Sequence, residues 1–202
     1  MKLYDLPPSP NARRVRIFIA EKGIEIPSVA VDMAKGENKT PEYLAKNPLG
    51  KMPLLELDDG SHLAESGAIC RYLEARFPEP PLLGRDIDER AKVEMWDRRM
   101  EFEILLPLIN VFGHTHEMWK GVFEQIPAWG EACRQTALAR MAWLNDELAG
   151  REFIATEDYT VADITAQCGI LLGKAVGVRV PEELGNLGAW WERVAGRPTA
   201  RA

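Results

Sequence analysis

GKMPLLELDDGSHLAESGAICRY, Gly50 to Tyr72, is the stretch that decides how this chain folds. A short apolar run opens at Met52-Pro53, turns at Asp58-Asp59-Gly60 and continues as a second short strand. The chain then passes through Glu65-Ser66 into an apolar-periodic helix. Asp and Gly between two apolar runs spell a hairpin turn. Proline is tolerated only at the beginning or edge of a strand, so Met52 is expected to offer unpaired backbone groups. An extended peptide could pair with them. The helix that follows presents free N–H groups and a positive dipole beside an acid and a hydroxyl, a site suited to a carboxylate.

Upstream of this hairpin, strands and helices alternate. Lys2 to Leu6 reads as a strand, and Ser9-Pro10 as an N-cap with proline in the first turn. Val15, Phe18 and Ile19 keep helical spacing to a stop at Lys22-Gly23. Ile26 to Val31 is a second strand, placed at an edge or a start by Pro27. Thr40-Pro41 repeats the cap-plus-proline signal for a short helix that ends before Pro48. After the hairpin a helix runs from about Gly67 to Phe77. The order β-α-β-α-β-β-α predicts a four-stranded mixed sheet, with a parallel first pair and an antiparallel closing hairpin. Arg13 and Arg14 are expected to be exposed on the first helix, and Cys70 to be buried and inert.

The second half has a different character. Ten of the 14 prolines lie at or before Pro81, and all six tryptophans at or after Trp96. The stiff connector Pro78-Glu79-Pro80-Pro81-Leu82-Leu83-Gly84 separates the two compositions. The expected organisation is a first domain over 1–78, a linker over 79–85 and an all-helical domain over 86–202. Asp86 to about Trp119 reads as one long helix kinked at Pro107. Ala128 to Leu148 is another, and Leu187 to Ala195 a last short one. Thr160-Val-Ala-Asp163 is a capping box with Asp in place of Glu, opening an apolar helix to about Val176. Gly169 and Gly173 within it predict close packing against a neighbour.

Composition narrows the function. The 202 residues are 46% hydrophobic and 28% charged, as in an ordinary globular protein. A net charge of −6 argues against a nucleic-acid partner. No apolar run approaches the ~20 residues of a membrane span, and MKLYDLPPSP lacks the apolar core of a signal peptide. The three cysteines, Cys70, Cys133 and Cys168, are far apart and form no Cys-x-x-Cys, so neither a metal site nor a dithiol is indicated. A reducing cytoplasm is the expected compartment. His114 and His116 lack an acid at zinc-motif spacing and read as surface or capping residues. Phe112 and Trp119 read as core by default, with a place facing a substrate pocket as the alternative.

Taken together, Ser9-Pro10-Asn11-Ala12-Arg13-Arg14-Val15, Asn47-Pro48-Leu49-Gly50-Lys51-Met52-Pro53, Glu65-Ser66 and Thr160-Val161-Ala162-Asp163 resemble the cytosolic glutathione S-transferases across essentially the whole chain. The serine-bearing first turn is most similar to the theta, zeta and related bacterial members. The resemblance implies a thioredoxin-like domain that binds glutathione and a helical domain that supplies the pocket for a small hydrophobic electrophile. It implies a cis bond before Pro53, backbone pairing of Met52 with the cysteinyl part of glutathione, and Glu65 and Ser66 at its γ-glutamyl end. Lys39 and Lys51 are the candidate cations for its glycine carboxylate. Related sequences often carry His at position 38 and Gln at 51, where this chain has Asn38 and Lys51. A homodimer, with glutathione as co-substrate and no metal, follows from the same likeness.

The chemistry needs a thiolate. A helix N-terminus and a hydroxyl donor both favour the ionised sulfur. Ser9 stands where both act, as a donor to the glutathione thiolate rather than a nucleophile, and Asn11 is a possible second donor. Read alone, Ser9 is first an ordinary helix cap, and Lys39 and Lys51 are solvated charges. Tyr4 lies inside the first strand and is not given a catalytic role. Conjugation to an electrophile, with peroxidase activity at its side, is the expected reaction. The alternatives are a glutathione-dependent isomerase or dehalogenase, or a non-catalytic ligand-binding module.

Overall fold

The structure is a computed structural model describing Met1–Ala202. The chain divides into two compact units, Met1–Pro81 with Arg201–Ala202, and Leu82–Ala200.

The first unit holds β1 (Lys2–Asp5), α1 (Pro10–Glu21), β2 (Ser28–Ala30), a 3-10 turn (Glu37–Lys39), α2 (Pro41–Leu44), β3 (Leu54–Glu56), β4 (His62–Ala64) and α3 (Ser66–Arg76). The sheet order is β2-β1-β3-β4, with β1 parallel to β2 and antiparallel to β3, and β3 antiparallel to β4. This is the mixed four-stranded sheet expected from the sequence. β2 is shorter than its apolar run because Pro27 has no N–H. Only its carbonyl extends the pairing, accepting from Leu3 N at 2.8 Å. As an edge strand, β2 leaves its side chains exposed.

Side-chain alternation divides the sheet's two faces. Tyr4 and Leu54, register partners, pack with Val31, Tyr43 and Met52 in one buried cluster. Leu3 and Leu55 are buried on the other face, where α3 contacts β3 and α1 packs on α3. Both helices carry the buried apolar stripe their spacing predicts, including Val15, Phe18, Ile69 and Leu73. Lys22 ends α1 with Gly23 behind it at φ +62°. Its ammonium is fully buried between Glu74 and the carbonyls of Pro78 and Pro80.

Tyr4 has a structural task. Its hydroxyl accepts from Lys46 Nζ and donates to Glu56 Oε2 at 2.8 Å, and Lys2 Nζ donates to Glu56 Oε1 at 3.2 Å. The Tyr4 bond, then the Lys2 bond, hold the Glu56 carboxyl down at about 2 from an ordinary 4.5. A depressed carboxyl stabilises the fold above its unfolded value, and that contribution is lost as pH falls from about 4.5 toward 2. Glu56→Gln is therefore expected to flatten the acid limb of melting temperature against pH. Because the carboxylate meets solvent, salt should shrink the difference. Superimposed acid limbs for variant and wild type would contradict this assignment.

The second unit is helical: α4 (Ile87–Arg99), a π-helical turn (Met100–Leu105), α5 (Leu106–Thr115), a 3-10 turn (Glu117–Trp119), α6 (Pro127–Glu147), α7 (Val161–Ala175) and α8 (Gly185–Ala195). A π turn stands just before Pro107, where the sequence predicts a kink. Proline can give no N–H to its preceding turn, and the wider loop accommodates that loss while the chain stays helical. Gly169 of α7 meets this turn so closely that a Cβ there would lie 3.0 Å from the Leu105 Cα. The predicted close approach is thus made by the glycine at the π turn. Gly173 does the same against the Val178 carbonyl, where a Cβ would stand at 2.8 Å.

Candidate functional site

Three segments of the first unit converge on one end of its sheet. β1 ends there at Asp5 and leads through Leu6–Pro8 to Ser9, the N-cap of α1. β3, antiparallel to β1, begins at that end. β4, antiparallel to β3, finishes there and turns into α3. Leu54, the first residue of β3, pairs with Tyr4 and with Ala64, so Met52-Pro53 enters β3 at the end where β1 finishes and where β4 runs on into Glu65-Ser66. Met52 lies outside the ladder, as the proline after it requires. The Met52–Pro53 bond is cis. The sheet end therefore gathers Ser9, Asn11, Met52, Pro53, Glu65 and Ser66.

The loop ahead of Met52 is held by side chains. The Lys51 carbonyl accepts from Tyr43 Oη at 2.9 Å and from Asn47 Nδ2 at 2.8 Å. Asn38, buried at the 3-10 turn, donates from Nδ2 to the Gly50 carbonyl at 2.8 Å. Gly50 needs its φ of +60°, and a Cβ on it would stand 2.8 Å from the Asn38 carbonyl. These contacts bring the loops carrying Lys39 and Lys51 together. Both lysines are exposed, and neither ammonium is paired with a protein carboxylate. Tyr43 was not singled out from sequence, and Asn38 only as a departure from related sequences, since a buried Asn in a polar loop looks like any turn residue.

Glu65 is the only residue other than glycine with a positive φ, at 68° with ψ 117°. Such a backbone costs about 1–3 kcal/mol, and outliers of this kind cluster at functional sites. It places the carbonyl of Glu65 to accept from Ile69 N at 2.9 Å, starting α3, while its carboxylate stays exposed. Ser66 is buried in the first turn of α3. Ser9 Oγ accepts from Ala12 N at a long 3.4 Å, so the serine does cap α1. A hydroxyl that accepts still holds its own hydrogen. Asn11 sits in the same first turn, half-buried. α1 and α3 thus open toward one sheet end with no acid in either first turn.

The loop that carries Ser9 is tied back by Arg16, which donates to Asp5 Oδ1 at 2.6 Å and to the Pro7 carbonyl at 2.9 Å. Arg14 corrects the sequence reading. It is completely buried, and its Nη1 donates to Ser66 Oγ at 3.2 Å. The signal was present, because Arg14 stands four residues before Phe18 on the same helical face. His116 caps the 3-10 turn in the second unit, accepting from Met118 N at 3.2 Å, as the capping reading expected.

The family model for the Glutathione S-transferase N-terminal domain matches residues 1–75, and that for the C-terminal domain residues 127–198. Glutathione S-transferase 2 of Saccharomyces cerevisiae is 37% identical over 205 aligned residues, covering 100% of this chain and 88% of the yeast protein. A crystal structure of a glutathione S-transferase domain-containing protein from Marinobacter aquaeolei VT8 superposes with a TM-score of 0.93 at 39% identity, covering 99% of this chain and 100% of that one. Maleylacetoacetate isomerase of Pseudomonas aeruginosa is 45% identical over 94 residues, 46% of this chain and 44% of the isomerase. A thioredoxin-like sheet with its cis-proline, followed by a helical unit, is the class that fold and site define. The chain belongs to the glutathione S-transferase family.

Proposed function

We propose that this glutathione transferase binds glutathione at the sheet end of its first unit, ionises the thiol beside Ser9 and transfers the sulfur to a small hydrophobic electrophile. The observation that carries the reading is the convergence of the Ser9 cap, the register-open Met52 before cis-Pro53, and Glu65-Ser66 at a helix start. Each part suits one part of the tripeptide. Met52 has the position for strand-like pairing with the cysteinyl residue. The Ser66 hydroxyl and the first N–H groups of α3 suit the γ-glutamyl carboxylate, and Glu65 its ammonium. Lys39 and Lys51, on adjoining loops, are the cations for the glycine carboxylate.

Ser9 donates its hydrogen to the sulfur, and Asn11 is a second donor from the same turn. The helix terminus and these donors favour thiolate over thiol. The thiolate forms a bond to an electrophilic carbon, and the displaced group leaves with its electron pair, or an added proton comes from solvent. The electrophile falls to the helical unit. Residues 1–78 are the glutathione-binding domain in this reading, 79–85 the linker and 86–202 the electrophile-binding domain. The working form is a cytoplasmic homodimer without a metal, and glutathione peroxidase activity accompanies conjugation.

A second reading, suggested by the partial likeness to a protein named as an isomerase, is a glutathione-dependent isomerisation, in which a thiolate would add to an activated double bond and leave again after the bond had rotated. Such a reaction leaves glutathione unconsumed, which separates it from conjugation.

The testing experiment is a difference ultraviolet spectrum of glutathione added to the protein at neutral pH. A saturable thiolate band is expected. Ser66→Ala should weaken glutathione about tenfold, in line with one lost bond to a charged group. Binding that is saturable but lacks the thiolate band would move the reading to a ligand-binding module.

A further inference from the structure

Arg14 is the one fully buried arginine of the first unit, and it touches a residue of the proposed site. An arginine has donors only, so Ser66 Oγ must be the acceptor in their 3.2 Å bond. A serine oxygen has two acceptor lone pairs and one hydrogen. The bond to Arg14 uses a lone pair on the protein side and leaves the hydrogen uncommitted to it. A bare serine in the first turn of a helix can instead turn its hydroxyl to compete for local backbone groups.

We propose that Arg14 is a positioning residue for the γ-glutamyl carboxylate of glutathione: its guanidinium holds Ser66 as an outward donor and adds a fixed cation behind the carboxylate-binding helix start. The inference rests on the reading of Ser66 given above. Three features make the arrangement effective. Ser66 is only 6% exposed and Arg14 0%, so their bond is shielded from competing water. The guanidinium is permanently charged, and its field reinforces the partial positive charge at the start of α3. The same side chain, rooted in the helix that Ser9 caps, reaches the helix that Ser66 opens. It thereby couples the thiol end of the site to its carboxylate end through rigid elements.

A cross-brace between α1 and α3 that only supports the fold would show the same bond, so the test must separate the two roles. Glutathione affinity is measured by calorimetry for wild type, Arg14→Gln, Ser66→Ala and the double variant. Arg14→Lys, which keeps a cation but loses the planar fork, is carried alongside in case Arg14→Gln does not fold. Arg14→Gln should weaken glutathione about tenfold on its own and only about threefold, the share left to its charge, in the Ser66→Ala background. The second readout uses a ligand without the carboxylate, 4-aminobutanoyl-cysteinylglycine. Deleting the carboxylate should weaken binding to wild type by about tenfold or more, and to the Arg14 variants much less. A structural role would not produce that dependence on one ligand group. Equal losses from the Arg14 change in both backgrounds, or for both ligands, would overturn the inference and leave the Ser66 reading intact. A Ser66→Ala protein that binds glutathione as wild type does would overturn both.

Discussion

Ser9→Ala is expected to lower kcat/KM for conjugation of glutathione to an activated aryl halide about 10- to 30-fold at pH 7, with glutathione affinity changed less than about twofold. A bond from a hydroxyl to a thiolate contributes about 1.5–3 kcal/mol, and each 1.36 kcal/mol is about one pKa unit of the sulfur. An ordinary thiol near 8.5 is mostly protonated at neutral pH, so the loss appears as a smaller thiolate fraction. The pH profile identifies the mechanism. The alkaline rise of kcat/KM should move up by about one to two units in the variant, and most activity should return above about pH 9. Loss of the cap alone costs about 1 kcal/mol of stability and moves no pH profile. Ser9→Thr, which keeps both the capping oxygen and the donor, should stay near wild type. A loss of equal size at pH 7 and at pH 9.5 would remove Ser9 from sulfur activation. The long 3.4 Å cap bond makes the two roles compatible, since the accepting oxygen keeps its hydrogen for the ligand.

The site's backbone was legible in the sequence because it is written in residues with strong local rules. Proline after Ser9 and after Met52 narrows the backbone, while glycine at positions 50 and 60 admits the positive φ that other residues avoid, and the structure uses that freedom at both glycines. The order and sense of the strands followed from hairpin and crossover lengths. What escaped were long side chains whose contacts lie far away in sequence. Arg14 meets Ser66 across 52 positions, and Lys22 meets the carbonyls of Pro78 and Pro80 across 56 and 58. A charged side chain on a surface helix and one folded into the core share the same local pattern; only the tertiary partner separates them. The π turn at Met100–Leu105 escaped for a related reason. Proline at 107 demands some relief of the helix, but whether by a kink or by a widened turn depends on what packs there. Gly169, which lets α7 approach that turn, stands 64 residues after Leu105.

The Thr160–Asp163 capping box carries more than its sequence pattern promises. Asp163 is fully buried and accepts four bonds: from Ile154 N at 2.9 Å, Trp190 Nε1 at 2.8 Å, Thr160 N at 3.0 Å and Thr160 Oγ1 at 3.2 Å. It joins the chain before α7, the start of α7 and the face of α8. Burial pushes its carboxyl up, and the bonds, led by that from Trp190, oppose the shift. Removing this carboxylate leaves the N–H groups of Ile154, Thr160 and Trp190 without their partner in a dry interior. At about 1–3 kcal/mol for each of these buried donors left unpaired, Asp163→Ala should cost about 4 kcal/mol. That is a large part of the ~5–15 kcal/mol that holds an ordinary domain together. With a urea slope of about 2 kcal/mol/M, the unfolding midpoint should fall by about 2 M, and at 37 °C much of the protein should be insoluble. Asp163→Asn keeps one acceptor oxygen and puts a donor where the other stood. It should therefore lie between wild type and Asp163→Ala. Thr160→Val, which removes the hydroxyl but leaves the carboxylate its three N–H partners, should cost only about 1 kcal/mol. A midpoint for Asp163→Ala within about 0.5 M of wild type would mean that water reaches these donors, and that the three segments are held by apolar packing alone.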